Sequence, residues 1–246
     1  MTLDNIHVGT SGWNYKDWKG KFYDEETKQD DQLSVYAEVF DTVELNKSFY
    51  NLPDKTSIKS WLKKTPNDFL FSCKASRYIT HMKKLEDPEE GVENLLRSLE
   101  VFDNKLGPIL FQCPPNWNVN TKRLKNLLDA LPDNHRYVFE FRDESWFTDE
   151  IYRMLKDHNA ALCLYDLEGF QSPELITADF VYIRLHGPEE NAYQGSYDGR
   201  TLAGWVQKML RWRDEGNRVF CYFDNDQKSK APLDAQQLIE SLKKQS

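Results

Sequence analysis

Cysteine is sparse and scattered: Cys73, Cys113, Cys163 and Cys221 lie too far apart in sequence to form a zinc-binding or redox motif. All four fall in or beside segments that read as strands, so they are expected to be small buried apolar residues, and the compartment is expected to be reducing and cytoplasmic. No apolar run approaches the roughly 20 residues of a membrane span. The chain reaches its first strand at Ile6 without the charged and apolar regions of a signal peptide, so no membrane association is expected. No Gly-rich phosphate loop, HExxH or GxSxG pattern occurs, which removes the sequence signatures of nucleotide, zinc-hydrolase and serine-hydrolase sites. Positive charge is in deficit: the formal net charge of -8 weighs against long-range attraction to nucleic acid or anionic membrane, while leaving room for a local cationic pocket.

The chain has 246 residues, enough for one large α/β domain with an ample core, and aromatics make up 13% of it. One design recurs. In Thr42-Val43-Glu44-Leu45-Asn46-Lys47-Ser48-Phe49-Tyr50, apolar and polar residues alternate as in a strand, but the polar members turn into a carboxylate and an amide near the C-terminal end. Ser72 and Lys74 repeat the pattern in Phe69-Leu70-Phe71-Ser72-Cys73-Lys74, as do Glu140 and Arg142 after Val138, and Arg184 and His186 after Val181. In each, one parity can face a layer of helices while the other becomes polar at the strand's end, which is how a parallel barrel builds its catalytic face.

Taken in order, strand patterns begin at Ile6, at Thr42, before Lys74, at Pro108, over residues 136–142 and 161–166, before His186, and at Val219. Helical periodicity separates them. One helix is predicted over 31–40, and a second after Asp54, an N-cap. A third is predicted after Asp87-Pro88 (N-cap and first helical residue), and further helices over 121–131, through Met154 and Leu155, from Leu202 to a capping Gly216, and after Pro232. Between the sixth and seventh strands only about a dozen residues, interrupted by Pro173, leave little room for a crossover helix. Eight strands alternating with seven helices predict a single-domain α/β fold, a (β/α)8 TIM-like barrel with a closed parallel sheet over residues 1–246.

Gly9-Thr10-Ser11-Gly12-Trp13, Val43-Glu44-Leu45-Asn46 with Ser48-Phe49-Tyr50, Gln112-Cys113-Pro114-Pro115, Glu140-Phe141-Arg142 with Trp146, Arg184-Leu185-His186-Gly187 and Tyr222-Phe223-Asp224-Asn225 together resemble the YecE-like family, domain of unknown function 72. The match spans nearly the whole chain in order. It implies a TIM-barrel fold with a shared polar pocket and implies no established reaction.

The residues themselves suggest a ligand site at the barrel mouth. Arg142 and Arg184 are candidate clamps for a carboxylate or phosphate, since a guanidinium donates parallel hydrogen bonds; Arg184→Ala is expected to lose ligand while staying folded. Glu44, Glu140 and His186 are candidate acid/base groups, and Lys74 is a further cationic contact or, if burial lowers its pKa, a Schiff-base nucleophile. Ser11, Asn46, Gln112 and Asn225 are candidate polar contacts, with Trp13, Tyr50 and Trp146 as aromatic walls. The alternative to a site is a salt-bridge network in which the carboxylates neutralise Lys74, Arg142 and Arg184. No cofactor is evident. A divalent metal on Glu44, Glu140, Asp166, His186 and Asp224 is disfavoured, because the cationic side chains compete for the carboxylates. The reading that results is an enzyme, of hydrolase or isomerase/lyase type, acting by acid/base chemistry on a small anionic, ring-bearing, sugar- or nucleotide-like substrate. The alternatives are a nucleic-acid-processing barrel, using the basic loop of Arg77, His81, Lys83 and Lys84, and a non-catalytic small-molecule or interaction protein. Oligomeric state is left open.

Overall fold

Strands buried on both faces are the mark of a parallel sheet wrapped by helices. The computed structural model describes residues 3–245. Its strands are β1 (Ile6–Thr10), β2 (Thr42–Leu45), β3 (Leu70–Lys74), β4 (Leu106–Gln112), β5 (Tyr137–Glu140), β6 (Ala161–Leu167), β7 (Phe170–Gln171), β8 (Phe180–Leu185) and β9 (Arg218–Phe223). All pair in parallel in the order β1-β9-β8-β6-β5-β4-β3-β2, except β7, a two-residue antiparallel return on β6. A bridge between Ser11 and Glu44 joins the two ends of that path. The result is the expected (β/α)8-type barrel. Helices α1 (Gln32–Val39), α2 (Lys55–Lys63), α3 (Glu89–Leu99), α4 (Thr121–Ala130), α5 (Asp149–Asp157) and α6 (Gly199–Asp214) fill crossovers, and α7 (Lys230–Gln245) follows β9.

The two parities of each strand separate into two cores. Leu110, Val138, Ala161, Cys163, Phe180, Tyr182, Phe220 and Tyr222 fill the barrel interior. Their neighbours Ile109, Phe111, Phe139, Leu162, Ile183 and Cys221 face outward to the helices. As expected, no helix lies between β6 and β8. Instead the Thr177 hydroxyl donates to the Ala160 carbonyl (2.7 Å) and accepts from the Leu162 N–H (2.8 Å), pinning the helix-free segment to the barrel.

The β1–β2 seam is closed mainly by side chains. Tyr36 of α1, fully buried, accepts from the Thr10 N–H (2.9 Å) and donates to the Thr42 carbonyl (3.0 Å), replacing a ladder bond between the two strands. Gly9 is required there because a Cβ would lie 2.2 Å from the Thr42 oxygen. Proline in a central strand cannot donate to the ladder, and β4 accommodates Pro108 at a register shift: Phe71 pairs Leu106 but Cys73 pairs Ile109.

Capping agrees in part. Asp54 accepts from the N–H groups of Thr56 and Ser57 (both 2.9 Å), and Gly216, at φ 92°, follows α6. Asp87, by contrast, is left-handed at φ 44° and does not cap α3; the Glu89 and Glu90 carboxylates sit in the first turn instead. The aromatic loop after β1 is a packing device. Trp18 and Tyr23 are buried with Tyr36, and Phe22 stacks on Phe40 (centroids 5.7 Å apart). No helix among the described residues is long and apolar enough to cross a membrane.

Candidate functional site

The interior parity turns polar in steps towards the C-terminal ends of the strands. First come the hydroxyls of the tyrosine layer. Tyr222 hydrogen-bonds Thr42 and Ser72 (2.7 Å each), and Tyr182 donates to Glu44 (2.7 Å). Above them lies a charge network centred on Arg184, which is 1% exposed. Its Nε and Nη2 donate to Glu44 (3.0 and 2.8 Å), Nη2 also to Asp224 (3.0 Å), and Nη1 to Glu140 (2.9 Å) and towards His186 Nε2 (3.3 Å). Arg142 pairs with Glu140, reaches His186 Nε2 (3.1 Å) and lies over the Tyr165 ring (4.9 Å). Ser11 donates to Glu44 (2.6 Å) across the seam.

This geometry corrects several expectations. Arg184 is no anion clamp, because every N–H of its guanidinium is already directed at a carboxylate or imidazole of the protein. Glu44 and Glu140 are counter-ions. Burial pushes the Glu140 carboxyl up, but the guanidinium groups of Arg142 and Arg184 outweigh it and hold the group well below the usual carboxylate range, so it stays ionised and cannot act as an acid near neutrality. His186 is likewise committed. Guanidinium groups can only donate, so Nε2 accepts and the proton sits on Nδ1, bonded to Asp224 (3.0 Å). Burial, helped by Arg184, pushes its pKa down and keeps the ring neutral.

Four aromatic and amide expectations also change. Trp146 lies outside the barrel, stacked on Phe141 (4.5 Å, 5°) with its Nε1 on the Trp117 carbonyl (2.7 Å). Trp13 packs edge-on against Trp61 (5.4 Å). Asn225 has the outward parity, and its amide holds Asp234 (2.7 Å) and the Gly195 carbonyl (2.9 Å). Gln112 ends β4 with interior parity but stands apart from the cavity lining.

That cavity, of about 300 Å³, sits on top of the network and is lined by Asn46, Phe49, Tyr50, Lys74, Tyr193, Asp224 and Asp226. Here, apart from Asp224, polar groups lack partners. Asn46 Oδ1 and Asp226 Oδ1 are buried without a hydrogen bond among the described residues. The Lys74 ammonium packs 4.5 Å over the Phe49 ring and has no hydrogen-bond or ion-pair partner among them. Burial, then the charge of Arg184, lowers its pKa to about 8. The two aspartates are driven apart. Burial and the Asp224 carboxylate push Asp226 well above the carboxylate range, while Arg184 and the His186 N–H outweigh burial and hold Asp224 below it. Such divergence pairs a neutral acid with an ionised carboxylate. Asp226 was not among the expected site residues: it lies past the end of β9, in the turn before α7, where strand parity gives no signal. Tyr193, in the loop after β8, carries no such signal either, whereas Phe49 stands beside Tyr50 among the aromatics expected around the polar strand ends. Arg77, of the basic loop, stands over Tyr50 at the rim (5.9 Å). No group of three or more His, Cys, Asp or Glu among the described residues is arranged to hold a metal ion.

A parallel (β/α)8 barrel with a paired charge network beneath a small polar cavity is the class these features define. The model of the family described as protein of unknown function DUF72 matches residues 7–246, and the chain belongs to that family. A crystal structure of a DUF72 protein from Thermotoga maritima MSB8 is 30% identical and superposes with a TM-score of 0.88, covering 97% of this chain and 99% of that one. The UPF0759 protein YunF of Bacillus subtilis (strain 168) is 24% identical over 96% of this chain and 94% of its own length. The UPF0759 protein YecE of Escherichia coli (strain K12) is 26% identical over 58% of this chain and 50% of its own length.

Proposed function

We propose that this chain is an enzyme acting on a small, anionic, hydroxylated, ring-bearing substrate at the C-terminal mouth of the barrel. One observation carries this reading: the unpartnered polar groups in this layer, Lys74 Nζ, Asn46 Oδ1 and Asp226 Oδ1, surround one cavity, while the charges directly beneath it are paired. Unpartnered buried polar groups are costly, and a ligand that satisfies them recovers that cost. Lys74 supplies the cation for a substrate anion, Asn46 accepts from a hydroxyl, and Phe49, Tyr50 and Tyr193 supply faces for a ring. Asp226 serves as the acid and Asp224 as the base, the roles expected earlier of Glu140 and His186.

The test is a thermal-shift screen of the protein and its Lys74→Met variant against phosphorylated sugars, organic acids and nucleotides. A ligand at a hundredfold its Kd adds about 2.7 kcal/mol, or roughly 5–10 °C in a domain of this size. A shift with one anionic class that is lost in the variant supports the site. No shift, or equal shifts in both proteins, overturns it.

A further inference from the structure

Lys74 ends β3 at the wall of the cavity with its Nζ in contact with the Phe49 ring and with no acceptor among the described residues. A lysine that served only as a structural counter-ion would be expected to touch a carboxylate, as Arg142 and Arg184 both do. Lys74 instead faces open space beside the two aspartates. We propose that Lys74 is a covalent nucleophile that forms an imine with an anionic aldehyde or ketone, so that the substrate class of this site is carbonyl compounds. The inference rests on the cavity proposed above as the substrate site and adds a bond to it.

The step balances. An ammonium and a carbonyl give an iminium ion and water: the C–N bond forms, the C–O bond breaks, and the oxygen leaves with two of the three ammonium protons. The third stays on nitrogen with the charge. Asp224, ionised and lining the same cavity, takes a proton from the ammonium through one intervening water and frees the lone pair. Asp226, neutral, protonates the carbonyl oxygen and regains a proton from the nitrogen of the adduct, while Asp224 passes its proton to the hydroxyl as it leaves as water, so both carboxyls end as they began. The iminium that results keeps the single positive charge for which Glu44, Glu140 and Asp224 already provide the field. The lowered ammonium pKa, about 8, makes the free amine more accessible near neutrality than on an exposed lysine of about 10.4. Arg184 opposes protonation there, and the carboxylates of Glu140, Glu44 and Asp224 favour it. His81, beyond Phe49, is held neutral at about 4 by burial and by Lys74 and Arg77 themselves.

The experiment is reductive trapping on the intact protein at pH 7. Glyoxylate and glycolaldehyde phosphate are added separately with cyanoborohydride at low conversion, followed by peptide mapping. Lys74 is expected to carry the carboxymethyl or phosphoethyl group at least tenfold more often than any other lysine. The Asp226→Asn variant should trap more slowly, and Lys74→Arg should lose the label while keeping the thermal shift given by glyoxylate. Labelling spread evenly over surface lysines, with Lys74 untouched, overturns the proposal. A glyoxylate shift equal in wild type and Lys74→Arg with no trapping in either leaves the cavity as a binding site and removes the imine. Neither shift nor trapping removes both.

Discussion

Replacing Arg184 by Met tests whether the network beneath the cavity is a structural hub. The guanidinium joins Glu44 from β2, Glu140 from β5 and Asp224 after β9, so its loss leaves three buried carboxylates, of which Glu140 keeps Arg142 while Glu44 and Asp224 lose their guanidinium partner. Removing one partner of a buried ion pair costs roughly 3–5 kcal/mol, and here a single side chain serves three partners, so the expected loss is at the top of that range or above it. Against a typical stability of about 5–15 kcal/mol, that is enough to unfold much of the population. Urea unfolding followed by tryptophan fluorescence gives the loss from the shift in midpoint. Adding Glu44→Gln removes one orphaned charge, and the double variant should recover about 1–3 kcal/mol relative to Arg184→Met alone. If Arg184→Met is too unstable to measure, the double variant is still expected to show a folded baseline. A loss under about 1 kcal/mol, with no recovery in the double variant, would refute the hub and return Arg184 to the role of a ligand clamp.

Tyr36→Phe removes the hydroxyl that pairs the Thr10 N–H and the Thr42 carbonyl at the β1–β2 seam. Each buried group left unpaired costs about 1–3 kcal/mol, so a loss of roughly 2–4 kcal/mol in urea unfolding is expected, and a change within about 0.5 kcal/mol would show the seam closes without it. Stability should also fall with acid in two stages. His186 and His81 are held below their ordinary value in the folded chain, so the unfolded chain takes their protons first and stability declines as pH drops from about 6.5 towards the folded values. Glu140, held low by its arginines, adds stability that is present above the unfolded carboxylate value of about 4.3 and is lost as pH falls below it. Asp226, held above the carboxylate range, offsets part of the first stage, so that stage is read by difference: a His81→Gln variant whose urea midpoint falls between pH 6.5 and pH 5 as steeply as wild type contradicts it, and a Glu140→Gln variant with undiminished acid loss below pH 4 contradicts the second.

Strand-end parity was the legible part of this chain. Glu44, Glu140, Arg184 and His186 meet in space because alternate residues of a barrel strand point inward, and period two can be read without coordinates. The same rule shows why Asn225 was misplaced: Phe220, Tyr222 and Asp224 share the interior parity, and Asn225, the next residue, turns out to α7. Trp13 and Trp146 read as pocket walls because they sit in loops, but a large aromatic in a loop recovers more by burying its area against Trp61 or Phe141 than by waiting for a ligand. What parity could not supply was availability. Whether a charge at the mouth is free for substrate depends on how many opposite charges reach it, and that is a sum over β2, β5, β8 and β9 at once. For the groups that meet here the sum runs to three carboxylates, Glu44, Glu140 and Asp224, against the guanidinium groups of Arg142 and Arg184. Those two saturate their partners by geometry, since a planar fork fits two carboxylates side by side. Lys74 balances the remaining charge at a distance without touching it, which is the arrangement that leaves an amine free to meet a ligand.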